Sequence, residues 1–216
     1  MTQEVEEAFL RAGVGIDGDC NARPTSPRQV LLAATGTYER FDLAPKSLRE
    51  NILIRIDELA LSSGSLLLIG SDVALRISFE CEPCGRLNRI RPRLARDIKG
   101  RRGYLARVVR SGVVRRGDKV QVVANVFRPF PDEWRDRVIS VARMLPSDHI
   151  MSYARLAELA GVPRSYCRTF PRLLRSQPDL PWQRVVSSDQ LTMSPNAPKR
   201  QMWLGSAVFG DELQFS

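Results

Sequence analysis

Between Leu66 and Ile77 the chain passes through two short apolar stretches, with Val73, Leu75 and Ile77 alternating against their neighbours and Gly70-Ser71-Asp72 lying between the stretches. Alternation of period two, broken by turn-forming residues, predicts a β-hairpin. Two further apolar runs, Tyr104–Val109 and Lys119–Val123, are separated by Gly112 and Gly117-Asp118, and the same reasoning pairs them as a second hairpin. The first half therefore reads mainly as strand. The texture changes at Phe127-Arg128-Pro129-Phe130-Pro131, where two prolines remove backbone donors and mark a linker. Beyond it Trp134, Val138, Val141, Ala142 and Leu145 recur at spacings of three and four, which predicts an amphipathic helix from Asp132 to Leu145 with Asp132 as N-cap. Ser152 is placed to cap a short helix that runs through Ala160 and ends at Gly161, and Pro163-Arg164-Ser165 opens another helical stretch towards Arg175. Helix, glycine turn and helix make a helix-turn-helix pattern. Pro171 lacks the donor a continuous second helix needs, so that helix is expected to start late or kink. The resulting expectation is an α+β protein of two domains, β-rich over 1–127 and helical over 132–216.

A length of 216 residues suits two modest cores. Hydrophobic residues make up 43% and charged residues 26%, with no apolar run of membrane-spanning length and no charged-then-apolar leader, which sets aside disordered, collagenous, transmembrane and signal-directed chains. The four cysteines, Cys20, Cys81, Cys84 and Cys167, are too few and too uneven for a disulfide framework, so a reducing cytoplasm is the expected compartment and no membrane partner is expected. Charge changes the picture most. Lys and Arg number 33 against 24 Asp and Glu, for a net +9, and between Arg86 and Lys119 thirteen cations face only Asp97 and Asp118. Such a stretch attracts phosphates, on nucleic acid or on a cofactor, although a solvated basic face accounts for the same composition. His149 is the lone histidine and reads as a solvated turn residue.

In the second half, Ser152-Tyr153-Ala154-Arg155-Leu156-Ala157, Gly161-Val162-Pro163, Ser165-Tyr166-Cys167-Arg168 and above all Pro181-Trp182-Gln183-Arg184-Val185-Val186 resemble the DNA-binding domain of alkylguanine-DNA alkyltransferases. The resemblance covers roughly Asp132 to Gly210. Where that family has Pro-Cys-His-Arg-Val, this chain has Trp182 and Gln183, and tryptophan at that place marks the alkyltransferase-like proteins, which bind alkylated DNA without repairing it. The residue chemistry agrees: indole offers no nucleophile and a glutamine amide takes up no proton near neutral pH, so no alkyltransferase activity is expected. The family's orienting glutamate falls near Val208 here. The resemblance implies that Arg168 fills the gap left by an extruded base, that Tyr153 rotates the nucleotide outward, and that Trp182 offers a stacking face to the flipped base. Arg164, Tyr166, Arg172, Gln183 and Arg184 complete the implied lesion-binding set, with Arg175 sharing phosphate contacts. Core filling by Trp182 and helix packing by Tyr153 are the plainer readings, and Cys167 reads as a small buried hydrophobe. The implied partners are duplex DNA carrying alkylated guanine and proteins of nucleotide-excision repair.

The first half has a resemblance of its own. Gly15-Ile16-Asp17-Gly18-Asp19, Arg28-Gln29-Val30-Leu31-Leu32, Leu48-Arg49-Glu50-Asn51-Ile52, Cys81-Glu82-Pro83-Cys84 and Gly100-Arg101-Arg102-Gly103-Tyr104 follow one another as in MOSC domains, the β-rich barrel domains of molybdenum cofactor sulfurases and their bacterial relatives. That likeness spans about Gly13 to Val123. It implies that Cys84 is a thiolate ligand of molybdenum with Cys81 beside it, that Arg49, Arg86, Arg101 and Arg102 meet the phosphate of molybdopterin, and that Asn51 bonds the pterin. Cys20-Asn21 after Asp19 departs from the family's Arg or His. Read from chemistry alone, Cys81-x-x-Cys84 lacks the second ligand pair of structural zinc, and Pro83 and Gly85 suit a loop better than the helix start a redox pair prefers. A lone soft thiolate suits a thiophilic metal that brings other ligands with it.

The main functional expectation is non-catalytic recognition of alkylated guanine by base flipping, with a fused MOSC-like domain that binds molybdenum cofactor. The alternative is a molybdenum-cofactor enzyme or carrier whose second domain docks it to DNA or to a partner. A third reading makes both halves scaffolds for protein contacts.

Overall fold

Gly13, at φ 73, lets β1 (Glu7–Arg11) reverse into β2 (Gly15–Ile16), a conformation open to glycine at little cost. From this start the computed structural model describes residues 3–57, 60–188, 201–205 and 208–210. The chain divides into two units: one holds the segment up to Pro24 together with Arg28–Phe130, the other Thr25–Pro27 together with Pro131–Gly210.

In the first unit β3 (Val30–Ala34) leads into α1 (Thr35–Phe41), and β4 (Ile52–Ile54) returns parallel to β3. Next come β5 (Leu66–Ile69), β6 (Val73–Glu80), the single turn α2 (Leu94–Asp97), β7 (Tyr104–Arg110), β8 (Gly112–Arg115) and β9 (Val120–Val123). The strand order β4-β3-β7-β6-β5-β9 makes a curled half-barrel sheet, and β8 pairs instead with β1 in a small sheet ordered β2-β1-β8. Curling is helped where the β6–β7 register slips, between Ala74 and Leu75 and between Ile77 and Phe79, since an unpaired extra residue bends a strand. β6 is buried along its length except at Glu80, the pattern of a strand covered on both faces. Leu32, Leu67, Leu75, Ile77 and Val108 are fully buried, each contributing about 1.5–3 kcal/mol by leaving water. Arg76 is buried among them because its Nη2 donates to the Arg128 carbonyl at 2.8 Å and its guanidinium lies 4.9 Å from the Phe127 ring centre.

The predicted hairpin over Leu66–Ile77 is present, with Ile69 opposite Val73. The second is corrected. β7 and β9 are both strands, but β7 lies between β3 and β6 while β9 pairs with β5. Alternation marks a strand and leaves its partner open.

In the second unit α3 (Trp134–Arg143) has Glu133 at its N-cap, one residue later than expected, and no side-chain cap. Asp132 is not the cap, because its carbonyl accepts from the Arg137 guanidinium, which also donates to the carbonyls of Pro131 and Ala160. Arg137 is fully buried, and these carbonyls stabilise it there. β10 (His149–Ser152) runs into α4 (Tyr153–Leu159), whose first turn is capped by the Ser152 hydroxyl accepting from Arg155 N at 3.1 Å. After Gly161 a 3-10 helix over Arg164–Thr169 tightens the chain before α5 (Phe170–Arg175), where Pro171 sits in the first turn. The late start expected from Pro171 takes this form. β11 (Val185–Val186) and β12 (Gln201–Met202) flank β10 on either side, both parallel to it. The helices expected over 132–216 are thus joined by a small three-stranded sheet, which makes this half mixed α/β, and His149 is corrected from a solvated turn to the first residue of the central strand. Its Nδ1 lies 2.8 Å from Asp148 Oδ1. Among the described residues no helix is long and apolar enough to cross a membrane.

Candidate functional site in the first unit and basic surface of the second

β6 ends at Glu80, and the next residue, Cys81, donates its N–H to the Gly103 carbonyl at 2.9 Å, tying the start of the cysteine loop to the start of β7. Gly103 is at φ 120, and a side chain there would run into the Leu32 carbonyl, so the approach requires glycine. The preceding residue, Arg102, is thereby turned inward and is only 9% exposed. Its Nη1 donates to Cys81 Sγ and its Nη2 to the Leu48 carbonyl at 3.4 Å, while its buried Nε has no hydrogen-bond partner among the described residues. A guanidinium held in this way keeps unused donor capacity toward an anion. Cys81 is 4% exposed. Burial pushes its thiol pKa up, and the opposing pull of the Arg102 and Arg28 charges is smaller, so at neutral pH it is a thiol. Cys84, three residues on, is exposed at the head of the 3-10 turn Gly85–Arg89.

The wall beside Arg102 contains residues to which the sequence reading gave no role. Tyr38 donates its hydroxyl to Glu50 Oε2 at 2.5 Å and accepts from Leu48 N at 3.1 Å. Burial and that carboxylate push its phenol above the ordinary range. Arg28 pairs with Glu82 at 3.2 Å and stacks 5.8 Å from the Phe79 ring centre. The motif around Arg28 carries the resemblance, but only the folded chain brings it to the cysteine loop.

Other expected residues are placed differently. Asn51 acts as a latch: its Oδ1 accepts from Leu31 N at 2.8 Å and its Nδ2 donates to Asp19 Oδ2 at 2.6 Å, which fixes the Gly18-Asp19 loop to the β3–β4 edge. Arg49 is exposed at φ 57, directly after the Leu48 carbonyl that Arg102 uses. Arg86 is exposed, while Arg101 is half-buried and lends its carbonyl to Thr37 Oγ1 at 2.8 Å. Among the described residues no three His, Cys, Asp or Glu side chains gather as a metal site. A metal at Cys84 would depend on ligands supplied by its own cofactor.

In the second unit Arg164, Arg168 and Arg172 are exposed on the 3-10 helix and α5, with no acidic partner among the described residues. Tyr166 is 38% exposed and meets Trp134 edge-on, with ring centres 4.8 Å apart. Tyr153 is half-buried against Phe170 at 6.3 Å, and the Cys167 thiol donates to its carbonyl at 3.4 Å. Trp182 has the Arg175 guanidinium 5.1 Å from its ring centre, and Gln183 is exposed beside it. Arg184 is partly buried, and its Nη1 donates to the carbonyls of Pro146 and His149. Val208, at the place of the family's glutamate, is buried.

With that geometry in place, comparison with known proteins bears on the first unit. Residues 26–121 match the model of the MOSC domain family. This stretch is a MOSC domain. The match takes in Arg28, Tyr38, Cys81, Cys84 and Arg102 and ends ahead of Pro131, so the alkyltransferase resemblance of residues 132–216 gains no support from it. Among solved structures, the YuaD protein of Bacillus subtilis is 22% identical over 56% of this chain and 86% of its own, with a TM-score of 0.48. YiiM of Escherichia coli is 21% identical over 79% of this chain and 87% of its own, with a TM-score of 0.48. No curated protein matches the chain.

Proposed function

We propose that the MOSC domain holds a molybdenum-bearing pterin cofactor, with Cys84 as the protein's thiolate and Arg102 as the buried cation behind it. The observation that carries this reading is the unpartnered Nε of buried Arg102, in the same loop cluster as an exposed thiol. A soft thiolate on the rim and an anion-seeking guanidinium in the wall fit a group that presents a thiophilic metal at one end and a phosphate at the other. When bound, the group supplies a redox-active metal with sulfur ligands of its own. The chain's residues hold and orient it. Cys81, kept as a thiol by burial, fixes the Arg102 guanidinium in place of ligating metal, and Tyr38, bonded to Glu50, accepts from the N–H of Leu48, the residue whose carbonyl accepts from Arg102. Arg49, Arg86 and Arg101 are the further candidates for the phosphate. Protein made in a host that synthesises the cofactor is expected to carry molybdenum by elemental analysis, and Cys84→Ser to lose it while Cys81→Ser loses less. Equal metal in Cys84→Ser and parent would overturn the assignment.

A second reading is favoured by one observation in the other unit, the row of exposed Arg164, Arg168 and Arg172, without acidic partners among the described residues, that follows a Ser152-capped helix and a glycine turn. It has this unit bind duplex DNA and recognise alkylated guanine without chemistry, Trp182 and Gln183 supplying neither nucleophile nor base. Proteins of excision repair would receive the bound lesion. Binding is expected to weaken with salt and to favour an alkylated duplex, Arg168→Ala is expected to reduce that preference, and intact-mass measurement is expected to find no alkyl group on the protein. A stoichiometric mass gain would refute the non-catalytic reading.

A further inference from the structure

Between Cys84 and Gly100 the MOSC domain carries a small cap built from the 3-10 turn Gly85–Arg89 and α2. Apart from Ile90, its large apolar residues turn one way. Leu87, Leu94 and Ile98 are at most 2% exposed and pack with Leu48 and Ala33 in a core cluster of their own. That inward commitment fixes the opposite face, where Arg86, Arg89, Arg91, Arg93, Arg96 and Lys99 are all exposed. Asp97 is the one acid in the segment. Arg91 donates to the Phe41 carbonyl at 3.1 Å, and the other five side chains have no hydrogen-bond or ion-pair partner among the described residues. Six cations within the stretch Arg86–Lys99 set up overlapping fields, each reaching about 8 Å at physiological ionic strength, which gather counter-ions.

The chemistry of the cap narrows its partner. Five of the six cations are arginines, whose planar forks match phosphate oxygens better than the point charge of lysine. The segment 84–103 contains no aromatic residue, hence no platform for stacking single-stranded bases and no ring anchor for a membrane interface. Ile90 is its one large exposed hydrophobe, too little for the apolar centre of a protein interface. What remains is a regular array of phosphates on a rigid rod. We propose that this arginine cap is a docking surface for duplex DNA that grips the phosphate backbone without reading bases. The choice of DNA rests on the second reading above, in which the other unit binds the same kind of duplex.

The test uses the full-length chain and a short unmodified duplex, with binding followed by fluorescence anisotropy over a series of KCl concentrations. The triple variant Arg89→Gln/Arg93→Gln/Arg96→Gln is expected to flatten the slope of log affinity against log salt by about 2–3, because each lost phosphate contact removes roughly 0.9. At moderate salt its affinity should fall at least about tenfold, equally for alkylated and unmodified duplexes. The matching triple Lys variant should keep most of the slope, which separates lost charge from lost folding. Arg168→Ala in the other unit should instead change the ratio between the two duplexes, so a failed cap and a failed lesion reading leave different traces. An unchanged slope and affinity in the Gln variant would overturn the proposal. So would stronger cap-dependent binding to an RNA duplex of the same sequence, or cap-dependent binding to phosphatidylserine vesicles with duplex binding unaffected.

Discussion

Cys81 and Cys84 stand three residues apart in surroundings that give their sulfurs different chemistry. Cys84 faces water at the head of a 3-10 turn, whereas Cys81 is buried under Arg102 with its pKa raised. Alkylation by iodoacetamide near neutral pH is expected to label Cys84 readily and to leave Cys81 protected until the pH climbs past 9.0, the ordinary thiol value, or the unit opens. Site-resolved mass spectrometry reads this, and equal rates at the two sulfurs would contradict it. The same shift sets a pH limit on stability. Cys81 and Tyr38 both bind their protons more tightly folded than unfolded, so the stabilisation is complete below their ordinary values of 9.0 and 10.0 and is lost as the pH rises beyond them. Denaturant midpoints should therefore fall in alkali, and Tyr38→Phe should show a shallower fall. The sequence placed Cys81, Cys84 and Arg102 in ordered motifs but did not separate their roles. That separation comes from burial, which depends on Gly103, Leu32 and Leu48 from three other parts of the chain.

Elements were legible where a single periodicity ruled them. The β5–β6 hairpin follows from alternation around Gly70-Ser71-Asp72, and α4 follows from Ser152 and Gly161, because each signal lies within a few residues of its effect. Partners were not legible: β7 and β9 alternate alike, yet one occupies the middle of the sheet and the other its edge. Nor could local pattern reveal that Arg137 draws in the carbonyls of Pro131 and Asp132 and delays α3, a pairing set by a charge seeking acceptors after the helix packs. At this scale Gly103 is the most exposed to test. A methyl group there would meet the Leu32 carbonyl and force a left-handed conformation on an L-residue, so Gly103→Ala is expected to destabilise the first unit by about 2–4 kcal/mol. Chemical denaturation should show it as a lower midpoint with little change in slope. A variant as stable as the parent would mean that β3 and β7 can move apart at this point without penalty.

The whole molecule joins two units, each with buried hydrophobic residues and exposed arginines of its own, and the net charge of +9 is shared between them. The proposed cofactor site draws on Cys81, Cys84 and Arg102 in one unit, and the proposed lesion contacts on Arg164, Arg168 and Arg172 in the other, so the two sets have no residue in common. Free-energy effects of substitutions at sites with no shared partner add with little coupling. Cys84→Ser is therefore expected to remove molybdenum while leaving affinity for alkylated duplex within about twofold of the parent, and Arg168→Ala to weaken lesion binding with molybdenum content unchanged. The double variant should show both losses at the size each has alone. Elemental analysis and anisotropy on the same four preparations decide it. If Cys84→Ser also weakened DNA binding, the two units would be energetically linked, and the alternative of a cofactor protein docked through its second domain would gain over that of two independent modules.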